Sequence, residues 1–286
     1  LHTAYRRQRQ MCIRDSACTH PDYRNRGAMR ELLSQAFTRM LHNDMAVSTL
    51  IPAEPWLFGY YAGMGYAPVF RYSSTIFTAS EVTTANEAVV LNKINDYQEE
   101  VYRYLDRKLR ERPYCIQHTE TDFRVILADL QLGKGCVYIL KQGDKIPALA
   151  IVYPAGSTWQ AGEVVAETPE MHSLLLQRIC GQLNIPSIRV IAPAAAGQNP
   201  QVLGMARIIN AKTVLQQYAA EHPEQEMSIA LTDPQISANN GYYYLNNGKC
   251  MNSAKRLPGS HLALTIGELT EKILSSLHPY MSLMLN

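Results

Sequence analysis

The 286-residue chain contains no Cys-x-x-Cys pair, although it has six cysteines: Cys12, Cys18, Cys115, Cys136, Cys180 and Cys250. Scattered thiols in a chain of this length read as reduced residues of a cytoplasmic protein, not as a disulfide framework. The eight histidines follow no ligand spacing, so the sequence predicts no metal site. No apolar run reaches the length of a bilayer span, and no basic segment leads into an apolar signal core. An excess of one charge is missing too. The net charge of +2 gives no electrostatic reason to expect nucleic acid or an anionic membrane as partner. A content of 47% hydrophobic and 18% charged residues is that of a globular chain, long enough for two or three domains.

The stretch Cys18-Thr19-His20-Pro21-Asp22-Tyr23-Arg24-Asn25-Arg26-Gly27-Ala28-Met29 is the most informative one present. A proline-marked loop runs into Arg-x-x-Gly, and the glycine opens a helix. The first N–H groups of a helix have no intrahelical partner, and the helix dipole places positive charge there. Such a terminus suits a phosphorylated ligand, and a glycine lets the backbone approach a pyrophosphate closely. Arg24 and Arg26 add charge at the same place. Met29, Leu32, Leu33, Ala36, Phe37, Met40 and Leu41 recur at three- and four-residue spacing, which predicts one apolar helical stripe.

Ala46 to Ile51 reads as a strand, and Pro55 to Ala62 as a helix closed by Gly63 and Gly65. A strand over Val69 to Thr78 follows. The order is then loop, helix, strand, helix, Gly-Tyr, strand. With Arg-x-x-Gly heading the first helix, it resembles the acetyl-CoA-binding core of GNAT N-acetyltransferases. More narrowly, it resembles their enhanced-intracellular-survival (Eis) type, whose second motif has the same aromatic-Tyr-small-x-x-Gly-Tyr rhythm as Tyr60 to Tyr66. Met29 departs from the small residue of the general family, but not from this subgroup.

Downstream, helices are predicted over Asn95 to Arg112, Thr121 to Gln131 and Glu170 to Leu183. Strands are predicted over Gly135 to Leu140, Ala148 to Tyr153 and Ser187 to Ala192. Gly133-Lys134-Gly135 is not a phosphate loop, because Ala128 and Cys136 stand where glycine and Ser or Thr are needed. Past an Ala- and Gly-rich linker at Pro193 to Pro200 come a helix over Ala211 to Ala220 and strands over Met227 to Thr232 and Tyr242 to Leu245. Asn246-Asn247-Gly248 is a hairpin turn, and Thr265-x-x-Glu268 a capping box.

The resemblance implies an α+β fold: a partial GNAT mixed sheet, a second GNAT-like domain and a C-terminal sterol-carrier-like α+β domain. Its expected boundaries are residues 17–82, 83–196 and 197–286. Residues 1–16 are polar and aperiodic and read as a non-native tail, which makes the chain an N-terminally truncated piece; a genuine basic tail is the alternative. The resemblance further implies acetyl-CoA as the acetyl donor, bound by Arg24, Asn25, Arg26, Gly27, Ala28 and Met29. The acceptor would be an amine, on a small molecule or on a protein. Tyr61 would be the proton donor, and the α-carboxylate of Asn286 the base. The apolar, extended ending Met281 to Leu285 is expected to dock. A homo-oligomer is compatible with this reading. The rival classes are a non-catalytic binding protein with an apolar-ligand pocket in its C-terminal domain, and an inert fragment.

Overall fold

The computed structural model describes residues 26–79, 88–194 and 200–282. The fold is α+β, with a large mixed sheet and a second, smaller one. Two compact units divide the chain: Leu1–Phe70 with Leu203–His278, and Arg71–Val202 with Pro279–Leu285.

In the first unit, helix α1 (Ala28–His42) and strand β1 (Val47–Leu50) are followed by the short helix α2 (Leu57–Ala62) and the start of strand β2 (Ala67–Thr78). Strand β1 pairs antiparallel with β8 (Gln201–Ile208), Val47 facing Ile208 and Leu50 facing Met205. Helix α6 (Ala211–Glu221), strand β9 (Met227–Thr232), the hairpin β10 (Gly241–Asn246) and β11 (Lys249–Ser253), strand β12 (Leu262–Thr265) and helix α7 (Ile266–Ser275) complete it. Their sheet has the order β11-β10-β9-β12. Both positive-φ residues that its hairpin needs are present, Asn247 and Gly248. The capping box is formed: Thr265 accepts from the Glu268 N–H, and the Glu268 carboxylate accepts from the Thr265 N–H at 2.7 Å. Ile208, Leu215, Ile229, Tyr243 and Leu269 fill the space between helices and sheet.

The α1 stripe is narrower than its period suggests. Phe37 is fully buried, whereas Leu32 is 59% exposed. Periodicity places a side chain on a face, but what covers that face is decided by residues distant in sequence.

The turn between α2 and β2 is tight. Gly65 has φ +85°, and a Cβ there would lie 2.6 Å from Ile266 Cγ2. Gly65→Ala therefore combines a left-handed alanine with overpacking, and is expected to lose about 2–4 kcal/mol of stability. A denaturation midpoint equal to the parent's would mean that this turn relaxes freely.

In the second unit the strands lie in the order β2-β7-β6-β5-β4-β3. These are β3 (Val90–Ile94), β4 (Cys136–Gln142), β5 (Lys145–Ala155), β6 (Thr158–Ala166) and β7 (Ser187–Pro193). Among the described strands of this unit β6 and β7 pair in parallel, at Gln160–Arg189 and Ala161–Val190, and an isolated parallel bridge joins Cys115 to Tyr280. Helices α3 (Glu99–Arg110) and α4 (Glu120–Leu132) belong to one core with Val137, Leu149 and Ile151. Helix α5 (Pro169–Leu183) belongs to another with Leu140, Ala150 and Val152. Lys134 and Gly135 simply leave α4: Gly135 N–H donates to Leu130 O at 2.6 Å.

The thiols of Cys115, Cys136 and Cys180 are buried in this unit, and Cys250 is half-buried in the first. Burial pushes all four upward, Cys115 to about 12 and Cys250 to about 11. Among the described residues no group of His, Cys, Asp and Glu is set to hold a metal ion. No described helix is long and apolar enough to cross a membrane.

Candidate functional site

Gly27 is the N-cap of α1 and sits at φ 80°, ψ 0°. The first helical bond runs from Glu31 N–H to Gly27 O at 3.0 Å. The N–H groups of Ala28, Met29 and Arg30 thus precede the intrahelical ladder, and no side chain caps them among the described residues. A Cβ on Gly27 would meet no described atom within 4 Å, so the glycine is required by backbone conformation, not by crowding. Glu31 lies within this first turn, its carboxylate bonded by Gln35 Nε2 at 2.9 Å. Arg26, Gly27 and Ala28 are exposed and Met29 is half-buried. Arg24, Asn25 and Asn286 lie outside the described residues.

Three tyrosines gather at α2 and the turn behind it. Tyr60 and Tyr61 are consecutive helical residues, so they leave the axis roughly 100° apart. Their rings meet edge-on with centroids 5.4 Å apart, and Tyr61 meets Tyr66 in the same way at 5.7 Å. Tyr66 is buried, and its hydroxyl shares a hydrogen bond with Ser48 Oγ at 2.7 Å. The Tyr60 hydroxyl is buried without a described partner. Burial holds Tyr60 above the ordinary phenol range, opposed by the charge of Arg30 on α1. Burial, then the neighbouring Tyr60, raises Tyr61. Both phenols are therefore protonated at neutral pH and able to donate.

One residue of this neighbourhood was not singled out by sequence. Arg207 on β8 is fully buried and forms an ion pair with the equally buried Asp233 at 2.8 Å. Its Nε donates to Met64 O at 2.8 Å, and its guanidinium carbon stands 4.5 Å from the Phe37 ring centroid. The available signal was a lone arginine in the apolar run Met205 to Ile209.

The chain's ending is placed in the second unit as far as Ser282. Tyr280 and Met281 are buried, 3% and 1% exposed. Ile116 N–H donates to Tyr280 O at 2.9 Å, and Tyr280 N–H to Tyr114 O at 3.2 Å. His118 Nε2 bonds Ser282 O at 3.0 Å. The same unit has a cavity of about 560 Å³ beside the start of α5, lined by Lys108, Glu111, Arg112 and Glu167 among others. These charges pair with one another and their neighbours: Lys108 with Glu111 at 2.5 Å, Arg112 with Glu163 at 2.8 Å, Arg107 with Glu167 at 2.5 Å.

Residues 15–69, which contain the Gly27 turn and all three tyrosines, match the family model of the acetyltransferase (GNAT) domain. The segment is similar to a GNAT acetyltransferase domain. GNAT enzymes use acetyl-CoA. Over about nine-tenths of its length the chain has a fold similar to that of GNAT proteins of known structure. A GCN5-related N-acetyltransferase from Anabaena variabilis superposes with a TM-score of 0.65 at 15% identity, over 91% of this chain and 78% of that one. Its counterpart from Kribbella flavida gives 0.66 at 15% identity, over 93% and 77%. Eis1 from Mycobacterium abscessus gives 0.64 at 12% identity, over 89% and 69%. At these identities the likeness is one of fold. No curated protein matches the sequence.

Proposed function

We propose that the protein is an acyl-CoA-dependent N-acetyltransferase of the Eis type, moving an acetyl group from acetyl-CoA to an amine. One observation carries the reading: within the GNAT segment, a left-handed Gly27 opens a 15-residue helix whose first N–H groups no described side chain caps. That arrangement is suited to the pyrophosphate of the coenzyme.

In the proposed reaction the neutral amine attacks the thioester carbonyl, a C–N bond forms and the C–S bond breaks. The protein must orient the two reactants and manage two protons. Tyr61 is the proposed donor to the departing thiolate. Its ring is braced by Tyr60 and Tyr66, and among the described residues its hydroxyl has no hydrogen-bond partner, unlike that of Tyr66. The amine's proton goes to a base, for which the α-carboxylate of Asn286 is the candidate. A free α-carboxylate has a pKa near ~3.5, so it needs a desolvated setting to act. The acceptor class is an aminoglycoside-like small molecule, a polyamine or a protein lysine.

Native mass spectrometry of the chain with acetyl-CoA and, separately, with a lipid extract tests the reading. The expected result is an acetyl-CoA adduct, with free coenzyme A released on addition of one of those amines. A lipid adduct with no acetyl-CoA adduct would favour a binding protein and sink the enzyme.

A further inference from the structure

We propose that Arg207 is a positioning residue for Tyr61, fixing the turn behind α2 and with it the direction of the Tyr61 hydroxyl. The proposal rests on the reading of Tyr61 as proton donor for its functional meaning, but its geometry stands apart from that reading.

Stability alone does not explain a charge at this place. A buried ion pair loses two hydration shells, and well-packed apolar residues of similar volume are often as stable or more so. What an apolar residue could not do is hold a carbonyl. The guanidinium is a rigid fork with donors in fixed directions. Here Nη2 is tied to Asp233 Oδ1 at 2.8 Å, Nη1 to Ile208 O at 2.7 Å, and Nε to Met64 O at 2.8 Å. Asp233 is itself immobilised. It accepts from the N–H groups of Gln235 and Ile236 at 2.9 and 3.1 Å, and from Asn239 Nδ2 at 2.9 Å. The fork is therefore anchored on the smaller sheet's side and grips the end of α2.

From Met64 two routes lead to Tyr61. Along the backbone, Tyr61 O accepts from both Met64 N–H at 2.9 Å and Tyr66 N–H at 3.1 Å. A shift of the Met64 carbonyl thus moves the peptide that carries the Tyr61 side chain. Through the rings, the guanidinium stands over Phe37, Phe37 contacts Tyr66 at 5.9 Å, and Tyr66 contacts Tyr61 at 5.7 Å. Gly65 completes the seat. Its missing Cβ would have stood 3.2 Å from Arg207 Nε. Arg207 touches neither coenzyme nor acceptor in this scheme and acts only through Tyr61.

The test uses the full chain carrying 3-fluorotyrosine, with the Tyr61 fluorine resonance assigned by its loss in Tyr61→Phe. Arg207→Lys keeps a positive charge for Asp233 but cannot reach Met64 O and Asp233 with the same fork. The expected result is a folded protein in which the Tyr61 resonance shifts or broadens, while that of Tyr280, in the other unit, stays in place. Acetyl transfer should show kcat lowered about 10- to 100-fold with coenzyme affinity nearly unchanged, since misplacing a reacting group by about 1 Å has that scale. In the Tyr61→Phe background Arg207→Lys should cost no further rate, because the two act as one unit. An unmoved Tyr61 resonance in folded Arg207→Lys overturns the proposal whatever the activity. A moved resonance with kcat untouched in both Arg207→Lys and Tyr61→Phe supports the positioning and instead removes Tyr61 from the chemistry. If Arg207→Lys does not fold, the double variant Arg207→Met/Asp233→Asn removes the fork and leaves no unpaired buried charge. A moved Tyr61 resonance there supports the proposal, and an unmoved one overturns it.

Discussion

Gly27→Glu is expected to abolish acetyl-CoA binding. Two effects act together. Gly27 sits at φ 80°, where a side chain costs about 1–3 kcal/mol, so the turn in this variant prefers another shape. The new carboxylate would also stand where the pyrophosphate belongs, and like charges about 4 Å apart near a protein surface repel by about 4 kcal/mol. Their sum, about 5–7 kcal/mol, corresponds to a loss of about four orders of magnitude in affinity. Gly27→Ala separates the two. Its methyl group meets no described atom within 4 Å, so only the backbone term remains, and the loss should be about tenfold. Titration calorimetry with acetyl-CoA measures both variants. An affinity equal to the parent's in Gly27→Glu would place the coenzyme elsewhere.

The second large effect is that of Tyr61→Phe on turnover. The substitution keeps the ring and its edge contacts with Tyr60 and Tyr66 while deleting the hydroxyl. Loss of a general acid typically costs about 10²–10⁴-fold in rate. Coenzyme affinity should barely change, because the phenol serves the departing thiolate and not the phosphates. Tyr66→Phe is the matched control. It loses the bond to Ser48 and some stability, about 1 kcal/mol for a buried hydrogen bond, but little turnover. Rates at saturating coenzyme decide between them. A parental rate for Tyr61→Phe would end its assignment, and a loss confined to Tyr66→Phe would transfer the acid to that residue. The pH profile adds a second reading. A phenol raised by burial stays protonated to higher pH than a free one, so the acidic form of Tyr61 should persist beyond the ordinary phenol range before activity falls.

Local chemistry made much of this molecule readable. Gly27, the Asn247-Gly248 turn and the Thr265–Glu268 capping box each depend on a few adjacent residues, and each forms as its sequence predicts. A second capping box, Thr119 with Asp122, escaped notice because aspartate takes the place of the usual glutamate. Strands β3 and β6 were also unread. Val90 to Ile94 is an edge strand with the burial of a surface segment, and its partner, Val137 to Lys141, lies far along the chain. The Arg207–Asp233 pair was illegible for a different reason. Strand β8 is buried continuously from Gly204 to Ile208, so alternation cannot mark which residue points where. The aspartate that neutralises the arginine belongs to a loop whose approach is set only by the packed first unit. Leu32 makes the same point in reverse: at the edge of the three- and four-residue stripe that includes Phe37, it is nevertheless left in solvent.

The buried thiols give the second unit its own clock. Alkylating reagents attack the thiolate, and Cys115, Cys136 and Cys180 are both enclosed and held protonated by burial. Their modification must therefore wait for the surrounding structure to open. Cys250, in the first unit, is only half-buried and serves as the fast reference. Mass spectrometry of peptides after a brief pulse of reagent would read the opening rate of the second unit against it in a single sample. No engineered probe is needed to follow how that half of the chain opens.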